Sequence, residues 1–315
     1  MNDQYIKEKL RQWNGRRYYS LDCFLKKRFG KKLYKLSLNG GMTCPNRDGT
    51  LSTGGCIFCS GGGSGEFAAD CSESIDIQIS KAKEAVSAKA DGSGYIAYFQ
   101  AFTNTYAPTD RLRELFMPVI TRDDIDVLSV ATRPDCLEDE KLLLLGELAK
   151  IKPLWVELGL QTVHERTARL INRGYSLPVF DRAVSSLKKI GAEVIVHTIT
   201  GLPGESREDM LETARYVGNS GIDGIKLQLL HILKGTRLAD MYYNGQVKVM
   251  SEREYISATA DIISVLPPGI VIHRLTGDGD KRLLIAPEWS RDKRRVLNAL
   301  SHELKARNIY QGCAR

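Results

Sequence analysis

Apolar and polar residues alternate along this chain with two periods that take turns. Residues 33–38 (LYKLSL) alternate as a strand with one buried face does, and Asn39, Gly40 and Gly41 end the run. Ile75, Ile79, Ala82 and Val86 then recur at helical spacing. The pair returns with a strand over 95–101 and a helix around Leu112, Leu115 and Phe116, and again with a strand over 126–132 and a Leu-rich helix from about Glu138 to Lys150. A fourth strand over 154–161 leads into helices carrying Leu170, Ala183, Leu187 and Ile190. The fifth, 193–200, and the sixth, 224–230, each precede a helix opened by a capping box, Ser206 with Asp209 and Ser251 with Glu254. Strand then helix, six times over, predicts an α/β protein with a parallel sheet and helical crossovers. Residues 271–274 add a further strand, and a basic helix follows Ser290 with Val296, Leu300 and Leu304 inward. Six units make either a doubly wound sheet or an incomplete barrel, and both put the functional site at the strands' C-terminal ends.

Length and composition narrow the class. A chain of 315 residues with 43% apolar and 26% charged residues has globular usage and can bury a large core. The first twenty residues are charged throughout and lack the apolar core of a secretory signal, and no run of eighteen apolar residues exists, so the expectation is a cytoplasmic protein with no membrane partner. In that compartment seven cysteines point to metal or redox chemistry more than to disulfides. The formal charge of +7 is gathered at the two ends: Arg16, Arg17, Lys26, Lys27, Arg28, Lys31, Lys32 and Lys35 beside Tyr18 and Tyr19, and Arg291, Lys293, Arg294, Arg295, Lys305, Arg307 and Arg315. Basic residues interleaved with aromatics suit a polyanion with exposed bases; a solvated surface without a partner is the plainer reading.

Three cysteines sit in the loop after the first strand: Cys44, then Cys56 and Cys59 flanking Ile57 and Phe58. Thiolates select zinc, Cu(I) or iron–sulfur clusters. Structural zinc wants four ligands, and one Cys-x-x-Cys pair plus a distant cysteine supplies three; Cys71 could complete a zinc set, or the cysteines could simply pack. A cubane cluster held by three thiolates keeps one iron open.

The spacing of these cysteines, with an aromatic inside the pair, resembles the radical S-adenosylmethionine (SAM) superfamily, and the wide first interval resembles the branch that contains the radical half of the Elongator catalytic subunit and small bacterial relatives. The resemblance runs from about Leu33 to Leu230. It implies an incomplete six-unit (β/α) barrel over 33–275, between basic extensions at 1–32 and 276–315. It implies a [4Fe-4S] cluster on Cys44, Cys56 and Cys59 and SAM on the open iron, contacted by Phe58, Thr103, Gln161, Arg173, His197 and Gly201. Thr103 matches the threonine of a Gly-Gly-Thr-like segment, but Ala101 and Phe102 replace its glycines. Residues 131–135 (ATRPD) match a Glu-Thr-Arg-Pro-Asp segment, with Ala131 in place of the carboxylate. Gln161 and Arg173 would meet the ribose or methionine end of SAM and its carboxylate, and residues 199–205 (ITGLPGE) would form the adenine turn. Without the cysteines, Gln161 and Arg173 read as a strand-end hydrogen bonder and a helix-end cation, and His197 as a core histidine.

The chemistry so implied is reductive cleavage of SAM to a 5′-deoxyadenosyl radical, fed by a reductant such as flavodoxin or ferredoxin. The implied substrate is tRNA, with the wobble uridine as the candidate position, or another RNA. The competing expectations are a radical SAM reaction on a small molecule and a zinc-bound RNA-binding module without catalysis. Cys23, Cys71, Cys136 and Cys313 show no metal-like pairing, and Cys136, just past the third strand, could face the site.

Overall fold

The computed structural model describes residues 3–63, 65–90, 92–277 and 279–315; Met1 and Asn2 of the expected N-terminal extension lie outside them. The chain opens with α1 (Asp3–Gln12) and α2 (Leu21–Phe29) and continues as β1 (Leu33–Leu38), α3 (Ile75–Val86), β2 (Gly94–Phe99), α4 (Thr109–Ile120), β3 (Val127–Thr132), α5 (Asp139–Ala149) and β4 (Leu154–Gln161). Then come α6 (Glu165–Leu170), α7 (Leu177–Lys189), β5 (Glu193–Thr200), α8 (Arg207–Asn219) and β6 (Gly224–Leu229). A short β7 (Ile232–Leu233), α9 (Arg237–Tyr243), α10 (Glu252–Val265), β8 (Val271–Arg274), β9 (Leu284–Ala286) and α11 (Lys293–Ala306) complete it.

The main sheet has the order β1-β2-β3-β4-β5-β6-β8. The pairs β1–β2, β2–β3, β3–β4 and β6–β8 are parallel. A doubly wound sheet reverses its strand order at a switch point, whereas a barrel-type sheet adds each strand beside its predecessor. The observed order is therefore that of the expected partial barrel, and it resolves what periodicity left open. All six residues of β3 are buried, as in a parallel strand covered on both faces. Both predicted capping boxes are present, Ser206 with Asp209 on α8 and Ser251 with Glu254 on α10. One helical expectation failed: Leu170 is exposed, because α6 stops there and Asn172, at φ 56°, turns the chain out of the helix.

The chain forms two compact units. One comprises Phe29–Leu160 with Asn172–Ile195, and the other Met1–Arg28 with Gln161–Ile171 and Val196–Arg315. In the first, a charged pair lies inside the strand layer: Lys35 Nζ of β1 stands 2.9 Å from Glu157 Oε1 of β4, which also accepts from Ser129 Oγ of β3 at 3.0 Å. The Lys35 ammonium lies over the Tyr98 ring, 4.5 Å from its centroid.

In the second unit the two chain ends are fastened together. Ser20 bridges Ile272 of β8 in parallel. Gln311, 1% exposed, is the staple: its backbone N–H donates to Arg17 O at 2.9 Å, its Oε1 accepts from Tyr19 N–H at 2.9 Å, and its Nε2 donates to Pro267 O and Ile270 O at 2.6 and 2.8 Å. Arg17 adds bonds to Asn308 Oδ1 and Ile309 O. Val296, Leu300 and Leu304 of α11 are buried, as their spacing predicts. Trp289, just before α11, rests on Tyr255 and donates from Nε1 to Met250 O at 3.0 Å.

Candidate functional site

In the first unit the loop after β1 carries Cys44, Cys56 and Cys59, all half-buried free thiols. Among the described residues the only three potential ligand atoms within 4.8 Å of one another belong to His164, Asp209 and Glu212. The three sulfurs thus do not all lie within 4.8 Å of one another. Tetrahedral zinc, with Zn–S near 2.3 Å, needs sulfurs roughly 3.8 Å apart, while a cubane takes each thiolate on a different iron and spreads them. The donor set fits a cluster better than a single ion. Burial, and then the neighbouring Cys59, push the Cys56 thiol up to about 12, and the Arg133 guanidinium works the other way. A bound cation would release that proton.

The loop is held by backbone and side-chain bonds. Arg47 and Asp48 N–H donate to Cys44 O, and Gly55 N–H donates to Asn46 O at 2.6 Å. Asn172 Nδ2 donates to Gly55 O at 2.8 Å and to Ser52 Oγ at 3.1 Å. Phe58, inside the pair, is half-buried.

Beside this loop stand the ends of β2 and β3. Thr103, 1% exposed, donates its N–H to Thr43 O at 3.2 Å. The missing glycines of this segment are compensated. Phe102 adopts φ 59°, the left-handed conformation a glycine would supply, and a Cβ on Gly63 would overlap its ring. Likewise a Cβ on Gly65 would come within 2.5 Å of Ala101 Cβ. Bulk has moved from one segment to the other, and Gly63 and Gly65 make room for it.

Past β3, Arg133 forms a bidentate pair with Asp135 at 2.9 and 2.7 Å and lies over the Tyr175 ring. Burial opposes the Arg133 charge, but the hydrogen bonds and charge of Asp135 outweigh it and hold the guanidinium protonated. Arg173, 1% exposed, donates from Nε to Tyr175 O at 3.0 Å and from Nη1 to Leu160 O at 3.4 Å. Neither Arg133, Asp135 nor Tyr175 was singled out as a site residue; the ATRPD match was the signal that could have found the first two. Cys136 is buried, and burial pushes its thiol up to about 12.

The second unit carries the other three expected contacts. Gln161 ends β4 at φ 66°, and His197 of β5 has its Nδ1 3.3 Å from Gln228 Nε2. Gly201 stands at φ 88°, where a Cβ would come within 2.9 Å of Met250 Sδ. Its turn lines a pocket of about 490 Å³ with Leu202, Met210, Val247, Met250 and Ala258.

Glu205, at the end of this turn, accepts from Thr162 Oγ1 at 2.5 Å. Burial nevertheless raises its pKa. A carboxyl whose folded pKa lies above its unfolded value gives stability that is present at low pH and lost as pH rises through the folded pKa. Glu205→Gln is therefore expected to melt higher than the wild type at pH 8 and to lose that advantage by about pH 4, near the ordinary Glu value. Thermal scans across pH check this.

Comparison with known proteins agrees with this geometry. Residues 44–217 match the radical SAM superfamily, and residues 222–306 match the radical SAM C-terminal domain. The chain is similar to YtqA of Bacillus subtilis (strain 168), an uncharacterized protein, at 46% identity over 94% of this chain and 92% of that one. It is similar to the tRNA uridine(34) acetyltransferase of Methanocaldococcus infernus at 30% identity over 48% of this chain and 28% of that one. Among solved structures, the archaeal Elp3 of M. infernus superposes with a TM-score of 0.67 at 16% identity, covering 89% of this chain and 64% of that one, which is a likeness of fold. Family match, strand order and cysteine loop agree: the chain belongs to the radical SAM superfamily, enzymes that use a [4Fe-4S] cluster and SAM.

Proposed function

We propose that Cys44, Cys56 and Cys59 hold the cluster and that the enzyme modifies a uridine of tRNA, at the wobble position. In this reading the SAM contacts are those that the family resemblance implies, Phe58, Thr103, Gln161, Arg173, His197 and Gly201. The buried Arg173 suits the SAM carboxylate, and the open Gly201 turn beside the 490 Å³ pocket suits a flat base. When bound, the cluster and SAM supply a 5′-deoxyadenosyl radical; the protein's own groups position the substrate and exclude water. A flavodoxin- or ferredoxin-class reductant provides the electron.

One observation carries the choice of RNA: the two basic ends of the chain, far apart in sequence, meet through Arg17, Asn308 and Gln311. Arg16 is exposed and bonds Tyr18 Oη at 3.0 Å, and Lys27, also exposed, lies over the Tyr19 ring. Cations beside rings suit phosphates and unstacked bases. The similarity to a tRNA uridine(34) acetyltransferase supports the same substrate class.

Two experiments test this. Nucleosides from the tRNA of cells lacking the gene are expected to show one altered uridine; an unchanged profile contradicts the reading. In vitro, Arg16→Glu with Lys27→Glu is expected to weaken tRNA binding about tenfold or more and to flatten its salt dependence by about one unit per lost phosphate contact. RNA-free 5′-deoxyadenosine formation should not change. Turnover indifferent to salt and to these charges would favour a small-molecule substrate.

A further inference from the structure

Asn46, two residues past the first cysteine, is 1% exposed and is joined to both sides of the cysteine loop. Its Nδ2 donates to Asn172 O at 2.6 Å, approaches Arg173 O at 3.3 Å and stands 3.7 Å from Cys56 Sγ. Its Oδ1 is buried with no hydrogen-bond partner among the described residues. That oxygen lies 2.6 Å from where a Cβ on Gly174 would stand, so the glycine, at φ 85°, makes room for the amide. A buried amide that leaves its acceptor unsatisfied costs stability, and a fold that makes space for one is positioning the other end of the group.

The other end is the –NH₂ beside Cys56. As a thiol, Cys56 donates to Asn172 O at 3.5 Å, the same oxygen that accepts from Asn46. A cluster-bound sulfur carries no proton, so that donation ends and Asn46 becomes the donor facing the sulfur. Hydrogen bonds to cluster sulfurs favour the more negative, reduced state and raise the reduction potential.

Resting on the cluster assignment above, we propose that Asn46 is a positioning residue that donates an N–H···S hydrogen bond to Cys56 and sets the potential at which the cluster accepts its electron. Arg133 Nη2 would stand 3.2 Å from the same Gly174 Cβ position, so the amide lies close to a fixed cation. Cation and donor act in the same direction on the sulfur.

The test is an EPR-monitored redox titration of the anaerobically reconstituted full-length protein, beside its iron content. Asn46→Ala is expected to keep its iron and to shift the reduction equilibrium at least tenfold toward the oxidised cluster, which is 59 mV lower for a one-electron couple. Asn46→Asp, which replaces the donor with a negative acceptor, should shift it further. Gly174→Ala leaves Asn46 in the sequence but drives a Cβ into its Oδ1, and should lower the potential in the same direction. Unchanged midpoints in iron-replete Asn46→Ala and Gly174→Ala overturn the inference. So does an Asn46→Ala protein that loses its iron while an iron-replete Gly174→Ala protein keeps the wild-type midpoint. If the wild-type chain assembles no cluster, the cluster assignment itself fails.

Discussion

Replacing Cys56 by alanine is expected to abolish 5′-deoxyadenosine formation and to leave the reconstituted protein without its iron–sulfur absorbance, while the fold survives. Loss of one of three thiolates leaves two irons open and the cluster unsupported, so no partial activity is predicted. The structural cost is small. The Cys56 sulfur makes weak contacts with Asn172 O and Asn46 Nδ2, and removing this half-buried sulfur costs about 1 kcal/mol in transfer and cavity terms. Far-UV circular dichroism and a melt within a few degrees of the wild type would separate loss of chemistry from loss of fold. A Cys56→Ala enzyme that still binds iron and still cleaves SAM would remove Cys56 from the ligand set.

Lys35→Met is expected to be the most damaging single substitution to stability. Glu157 is fully buried and takes its counter-charge from Lys35 at 2.9 Å, with Ser129 as a second donor. Removing the ammonium takes the counter-charge at 2.9 Å away from a carboxylate inside the strand layer, a change that costs about 3–5 kcal/mol. For a chain of this size that corresponds to a fall in Tm of the order of 10 °C. The pair is expected to be dispensable as a whole: Lys35→Met with Glu157→Leu restores apolar packing between β1, β3 and β4 and should recover most of the loss. Equal melting of the single and double variants would mean that the charge is not what the site requires.

Much of this fold was legible because parallel strands and their crossover helices write their periods locally. The bounds of β1, β4, β5 and β8, both capping boxes and the inward face of α11 were readable from nearby residues alone. The sheet order was not, since periodicity carries no information about which strands pair. Nor was the compensation around Phe102, where Gly63 and Gly65 act through contacts with residues nearly forty positions away. The stapling of the chain ends by Gln311 depends on acceptors 41 and 44 residues back and on a donor at Tyr19. No local pattern marks such a glutamine. Asn46 was hidden for a related reason: its meaning lies in Asn172, Arg173 and Gly174, which reach it only through the fold.

The central claim is that three cysteines of one loop hold a cluster able to cleave SAM. The most direct measurement is anaerobic reconstitution of the full chain with iron and sulfide, iron and zinc analysis, and quantification of 5′-deoxyadenosine after addition of dithionite and SAM. The account predicts a brown protein with about four irons per chain that forms 5′-deoxyadenosine only when both reductant and SAM are present. A colourless protein that retains zinc and forms none would contradict it.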